Sequence, residues 1–363
     1  MPDISTQNLK VGMVVAKHIY SPKGQLILPQ DSILSGQMIS RLKYYQIPSI
    51  PIHEGDLPEK AKELIELKNE VRQDYTDRLI HSPVYRKFVK HYHFQVRMVE
   101  NSINDLIIKN VPLNSTELIR ETIELFDDNP TAFSIFGMLH NMQELDDSTS
   151  AHCVNVSVIC RLMGTWFQMD PDDLDALTLS GLLHDIGKAK IPEDILLKPS
   201  RLSKQEYEFI KLHPQFGYDI LKDQDIDPRV KKAVLLHHER CDGSGYPLGL
   251  HGDEIDDFAS IVAIADVYDA MTSDRCYRNG LCPFDVIAAF EDEGVNRYNP
   301  KFILPFLKRI ANSYVNSKVL LNDYTIARII FITEQPTRPM LQTESGEILD
   351  LTRHPDLYIE AIV

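Results

Sequence analysis

Between about residue 119 and residue 316 the chain is a succession of helix-like apolar runs, several opened by a recognisable cap. Asp170 precedes Pro171, with Asp173 three residues on, which is an N-cap followed by proline at the first helical position. Ser203 and Glu206 have the spacing of a capping box, and Asn299-Pro300 opens a further helix. Regular strand alternation is missing from this stretch, so it reads as a helical domain. The 363 residues leave room for more than one domain.

The flanks differ. Residues 1–55 read as a small β-rich module: VGMVVA and QLILP are strand-like around the turn SPKG, SGQMISRLKYYQI is helix-like, and PSIPI is a returning strand. A regulatory or docking role fits this part, which carries no evident chemistry. Residues 56–118 read as a helical linker, with helix starts at Pro58 and at Ser82-Pro83. In the second helix Tyr85, Val89, Tyr92, Val96, Val99, Ile103 and Leu106 recur in steps of four and three. That spacing fits a homodimer seam over 85–106 and equally a helix packed within its own chain. Residues 317–363 return to strands, ARIIFI, PMLQT and YIEAIV, as a C-terminal β element. The expected fold is mainly α, a helical domain between a small N-terminal β-rich unit and a short C-terminal β element.

The net charge of −15 argues against a nucleic-acid polymer as partner, since such binding rests on a basic surface. It leaves room for a small phosphate ligand at a locally positive metal site. Without an apolar run of 18 residues or a signal-like start, and with five cysteines never spaced CxxC, the sequence reads as cytoplasmic, with no membrane partner.

Five of the 13 histidines stand at or near the ends of helix-like runs. His152 lies in STSAHCVNVSVIC, His184 in SGLLHDIGKAKIP and His213 in KLHPQFGYDIL; His237 and His238 open HHERCDGSGYP. The remaining eight lie in polar settings and read as surface or structural. Asp185 follows His184 directly; a carboxylate can bridge two cations while imidazole caps one. Lys188, four residues after His184, reads as sharing its helical face. Asp266 lies within the apolar run Ile261, Val262, Ile264, Ala265 and Val267, where a lone carboxylate is costly without a cation or strong hydrogen bonds. Asp269 and Asp274 read as helix-surface and turn residues. Arg275 and Arg278 offer forks suited to phosphate oxygens.

Taken together, LLHDIGK, HPQFGYDIL, HHERCDGSGYP and ADVYDAMTSDRCYR, in that order, resemble the HD-GYP family, a branch of the HD superfamily of metal-dependent phosphohydrolases. The resemblance covers roughly 119–316. It implies hydrolysis of the bacterial second messenger cyclic di-GMP to pGpG, and in many members onward to GMP, with two divalent metal ions per chain, iron or manganese. By motif it implies His152, His184, Asp185, His213, His237, His238 and Asp266 as metal ligands, with Asp185 bridging. Lys188 matches the catalytic lysine, acting with Asp185, and Arg275 and Arg278 match positions facing phosphate and guanine. Gly245, Tyr246 and Pro247 match the lip of the substrate pocket, with Glu239 and Arg240 holding that loop. Two departures stand out. Ser148 occupies the place where some members carry a glutamate for a third metal, which is why two metals are expected; Cys276 replaces a proline. The alternatives are a weakly active or silent cyclic-dinucleotide receptor or scaffold, and an HD phosphohydrolase for another cyclic dinucleotide such as cyclic GMP-AMP. A separate diguanylate cyclase or signalling partner is compatible with either.

Overall fold

The helix that begins at Ser82-Pro83 shows how this chain is organised. In the structure, a computed structural model, Ser82 Oγ accepts the backbone N–H of Tyr85 at 3.1 Å and proline fills the first helical position. The helix, α1, runs Pro83–Lys109 and stops at Asn110, whose φ of 56° turns the chain left-handed. Described residues are all but 1, 11, 21–25, 29, 33, 35–37, 40, 41, 43–46, 54–81, 127–131, 144–147, 199–201, 273–281, 294, 295, 324 and 363. The expected helix start at Pro58, the SPKG turn, and Arg275, Cys276 and Arg278 lie outside the described residues.

The seam residues of α1 pack inside their own chain. Tyr85, Tyr92, Val96, Val99 and Leu106 are buried, joined by Phe88 and Gln95, which the four-three spacing did not include. Tyr92 Oη donates to Asn155 Oδ1 at 2.7 Å, and Gln95 Nε2 donates to Leu118 O and Thr122 Oγ1 at 2.9 and 2.8 Å. A buried tyrosine hydroxyl and a buried amide with internal partners fix this face against the chain's own helices. Five of the seven stripe residues are thus covered within their own chain, while Val89 and Ile103 are half-buried.

The chain forms two compact units. One comprises Met1–Ile80, Asp274–Ala289 and Ala311–Val363; the other comprises His81–Ser273 and Phe290–Ile310. The bonds of Tyr92 and Gln95 tie the 83–118 helices to each other and to the helix that carries Asn155.

In the first unit, β1 (Asp3–Ser5) pairs antiparallel with β4 (Ser49–Pro51), and β2 (Ile19–Tyr20) with β3 (Leu26–Leu28). Val14 and Val15 form no named strand; Val15 makes an isolated bridge to Ile52. Leu9, Val15, Leu28, Leu34, Leu42 and Ile50 build a core on which Tyr358 packs. A five-stranded antiparallel sheet has the order β8-β7-β6-β5-β9, from Ile348–Asp350, Met340–Thr343, Ile326–Phe331, Lys318–Leu321 and Ile359–Ile362. In β6, Ala327 and Ile329 are buried while Arg328 between them is exposed, the period-two pattern of a one-sided sheet, up to a register shift between Ile329 and Phe331.

The second unit is helical. After α1 come α2 (Ser115–Glu124), α3 (Ala132–Gln143), α4 (Thr149–Trp166) and α5 (Pro171–Leu183). Then follow α6 (Glu193–Leu196), α7 (Lys204–Ile210), α8 (His213–Leu221), α9 (Pro228–Leu236) and α10 (Asp257–Thr272). Two more helices follow, α11 (Pro283–Glu293) and α12 (Pro300–Ser313). The capping box at Ser203 and Glu206 forms as expected, and α5 starts on Pro171. Helices α4, α5 and α10 are buried over most of their surface. Each fully buried Val, Leu or Ile there contributes roughly 1.5–3 kcal/mol. Gly181 lets α5 press on α4: a Cβ at that position would stand 2.6 Å from Ser157 Cα. Among the described residues, no helix is long and apolar enough to cross a membrane.

Candidate metal centre

Helix ends deliver the histidines. His152 lies in the first turn of α4, His184 caps the end of α5, His213 opens α8 and His237 caps the end of α9. Three of them are held in the same way. Nδ1 of His184 lies 2.8 Å from Gly181 O, that of His213 2.8 Å from Ile210 O, and that of His237 2.8 Å from Val234 O. A carbonyl only accepts, so each Nδ1 carries the proton and each Nε2 presents a lone pair. Fixing the tautomer through the far nitrogen is what a metal-ligating histidine requires.

These lone pairs converge on Asp185, which is buried just after α5. His213 Nε2 lies 3.2 Å from Asp185 Oδ1 and 3.2 Å from His237 Nε2. His184 Nε2 lies 3.4 Å from Asp185 Oδ2, and His152 Nε2 lies 3.7 Å from the same oxygen. The Nε2 acceptors of His184, His213 and His237 and the carboxylate they face repel in a buried site unless a cation stands among them. His184 Nε2 and Asp185 Oδ1 are in fact buried without a hydrogen-bond partner. The atoms form two groups able to hold a metal ion: Asp185, His213, His237 and His238, and His152, His184 and Asp185. Asp185 belongs to both. The donor set, imidazole nitrogen with carboxylate oxygen, suits a divalent transition metal.

Asp266 and Asp269 enter from α10. Asp266 Oδ1 lies 3.0 Å from His152 Nε2 and 3.9 Å from His184 Nε2, and its Oδ2 lies 3.9 Å from His238 Nδ1. Asp269 contradicts its expected surface position: it is buried, and its Oδ2 lies 2.7 Å from His152 Nδ1. It orients His152 as the carbonyls orient the other three. The sequence did carry a clue, because Asp266 and Asp269 are three apart and share a helical face.

Electrostatics follow the geometry. Burial disfavours a charged His152, but Asp266 and Asp269 outweigh it and raise its pKa to about 9. Burial, reinforced by His238 and neighbouring imidazoles, holds His237 well below its usual value. Burial lowers His238 to about 3. For Asp185 burial works upward, yet Lys188 and the histidines hold it well below the ordinary carboxylate range. Lys188 Nζ donates to Asp185 Oδ2 at 2.5 Å. It does so from a 3-10 turn, Ile186–Lys190, so its partner is Asp185 three residues back rather than the helical face of His184. Gly187 is required here, since a Cβ would stand 1.9 Å from His213 O.

The 239–250 loop closes one side. Glu239 is buried and accepts three backbone N–H groups, from Leu248 at 2.6 Å, Gly249 at 3.2 Å and Leu250 at 2.9 Å. Gly245 sits where a Cβ would lie 2.4 Å from Arg240 N. The Tyr246–Pro247 bond is cis, and the Tyr246 ring stacks on His238 with centroids 4.7 Å apart. Arg240 lies over the Tyr298 ring at 4.6 Å. Ser148 serves as N-cap of α4, its Oγ accepting from Ala151 N at 3.1 Å. The structure thus brings together all seven candidate ligands, with Lys188 and Tyr246 beside them.

Comparison with known proteins agrees with this constellation. A protein-family model described as HD domain matches residues 135–302. A cyclic di-GMP phosphodiesterase of Pseudomonas aeruginosa is 33% identical over 204 residues, which is 56% of this chain and 48% of that protein. A 3'3'-cGAMP-specific phosphodiesterase of Vibrio cholerae is 33% identical over 147 residues, 40% of this chain and 28% of that protein. The solved structure of Bd1817, an HDGYP protein from Bdellovibrio bacteriovorus, covers 84% of this chain and 97% of its own at a TM-score of 0.51. At 19% identity that likeness concerns the fold alone. The chain spans about half the length, or less, of these sequence relatives. Residues 135–302 therefore match an HD domain, helical and with clustered side chains that could hold a metal. The Tyr246 ring, in the stretch Gly245, Tyr246 and Pro247, is set against that cluster, as the resemblance to the HD-GYP family implies.

Proposed function

We propose that this chain is a metal-dependent phosphodiesterase that hydrolyses cyclic di-GMP to pGpG and onward to GMP. The observation that carries the reading is the pair of ligand groups sharing Asp185, with Lys188 hydrogen-bonded to that carboxylate. His152 and His184 would hold one ion, and His213, His237 and His238 the other. Asp185 would serve both, and Asp266 would complete the set. Two divalent ions, iron or manganese, would supply Lewis acidity toward a phosphate oxygen and lower the pKa of water.

The chain's own groups do the rest. Burial works against the Lys188 ammonium, but Asp185 outweighs it and raises its pKa, so the lysine is charged at neutral pH. It stabilises negative charge growing on the phosphate and can hand a proton to the departing 3′ oxygen. Asp269 keeps His152 oriented, and Glu239 holds the loop that brings Tyr246, with Gly245 and Pro247, to the rim. Arg275 and Arg278 position phosphate or guanine.

Cyclic GMP-AMP is a second substrate reading, supported by the similarity to a phosphodiesterase named for it. A silent receptor is less well supported, since every matched ligand is present. On this reading the protein works in the cytoplasm, is compatible with a separate diguanylate cyclase or other signalling partner, and uses residues 1–55 as a regulatory or docking module. A homodimer would use a surface other than the α1 seam. Asp185→Ala removes the ligand common to both groups and should cut turnover by at least about three orders of magnitude; a variant with near-normal kcat refutes the assignment.

A further inference from the structure

A cyclic dinucleotide carries two phosphodiesters, and only one can lie at the metal ligands while it is cleaved. The second needs a positive partner outside that cluster. The His213 side of the site has one. Lys211 lies two residues before His213, and its ammonium stands 5.6 Å from the centroid of the Tyr246 ring, the ring that stacks on His238. The same ammonium stands 5.7 Å from the Tyr207 ring. It is partly exposed, with 26% of the side chain accessible, and its carboxylate partner is the more exposed Glu208 at 2.8 Å. An exposed pair of this kind is weak and exchanges readily for a stronger anion. Lys188, by contrast, is tied to Asp185 within the ligand cluster.

We propose that Lys211 holds the second, uncleaved phosphate of the cyclic dinucleotide, leaving Glu208 to do so, with Tyr207 and Tyr246 as flat faces beside it. Lys211 is thereby a positioning residue that selects a substrate with two phosphates over a simple phosphodiester. Neither ring is needed for ligation, yet both flank the cation, and nucleobases stack on such faces. The inference rests on the cyclic-dinucleotide reading of the site.

The test compares two substrates on this metal-loaded chain: cyclic di-GMP, and bis(4-nitrophenyl) phosphate, which has a single phosphate. Lys211→Ala should lower kcat/KM for cyclic di-GMP by about tenfold or more beyond any loss on the single-phosphate ester, mostly through KM. Lys211→Arg should recover most of that difference. Glu208→Gln, which frees the ammonium, should lower KM for cyclic di-GMP. Equal losses on both substrates, or none, overturn the role of Lys211 even if the enzyme reading stands. A wild-type protein that cleaves the ester but neither cyclic di-GMP nor cyclic GMP-AMP overturns the cyclic-dinucleotide reading itself, and this inference with it.

Discussion

Asp269→Ala isolates the way this site is held together. Asp269 Oδ2 lies 2.7 Å from His152 Nδ1, inside a buried site. Without it the imidazole loses the partner that sets its orientation and leaves Nε2 directed at the cluster. Removing such an outer partner costs about 10–100-fold in metal affinity, which is about 1.4–2.7 kcal/mol. Asp269→Asn keeps an acceptor for Nδ1–H but removes the charge, so it should fall between wild type and alanine. The assay is competition for the metal against a graded chelator, read by elemental analysis, with thermal unfolding of the metal-free proteins as a control. Should Asp269→Ala retain metal as tightly as wild type, the claim that His152 is oriented from α10 is wrong.

Two further outcomes follow from the same geometry. Because Asp269 and Asp266 raise His152 to about 9, its Nε2 carries a proton at neutral pH and must release it to bind metal. His237 and His238 are already neutral there, so affinity should rise about tenfold per pH unit from pH 7 toward 9. Calorimetry in buffers of differing ionisation enthalpy should register about one proton released per chain, and a pH-independent affinity would contradict the account. Glu239→Ala removes the acceptor of three loop N–H groups and should destabilise the unit by roughly 3 kcal/mol while raising KM. Glu239→Gln should cost less, and an alanine variant with unaltered melting and KM would show that the carboxylate does not hold the loop.

Much of the centre was legible because its ligands lie in short motifs at helix ends, where side-chain type alone narrows the chemistry. The orienting contacts were less legible. Nδ1–H donation to Gly181, Ile210 and Val234 is a product of the histidine sitting at a helix end, so it has no residue signature of its own. Asp269 was misjudged because polar character was weighed above position, although α10 is buried on nearly all sides. Lys188 was assigned an α-helical neighbour, but the chain tightens into a 3-10 turn just past Asp185. The seam of α1 illustrates a different limit: four-three spacing records one apolar stripe, and only Tyr92 and Gln95, with their partners in α2 and α4, reveal what covers it. At the C-terminal end, β6, β7 and β9 match the apolar runs, whereas β5 and β8 gave less contrast: Ile348–Asp350 is only three residues long and carries no fully buried side chain.

The central claim is that clustered histidines and carboxylates here serve phosphodiester hydrolysis. Its most direct measurement is chromatography of products after incubating anaerobically purified, iron- or manganese-loaded protein with cyclic di-GMP. The account predicts time-dependent pGpG, followed by GMP, that is abolished by chelation. Fully metal-loaded protein that binds cyclic di-GMP and returns it intact would contradict it, and would leave the site as a receptor.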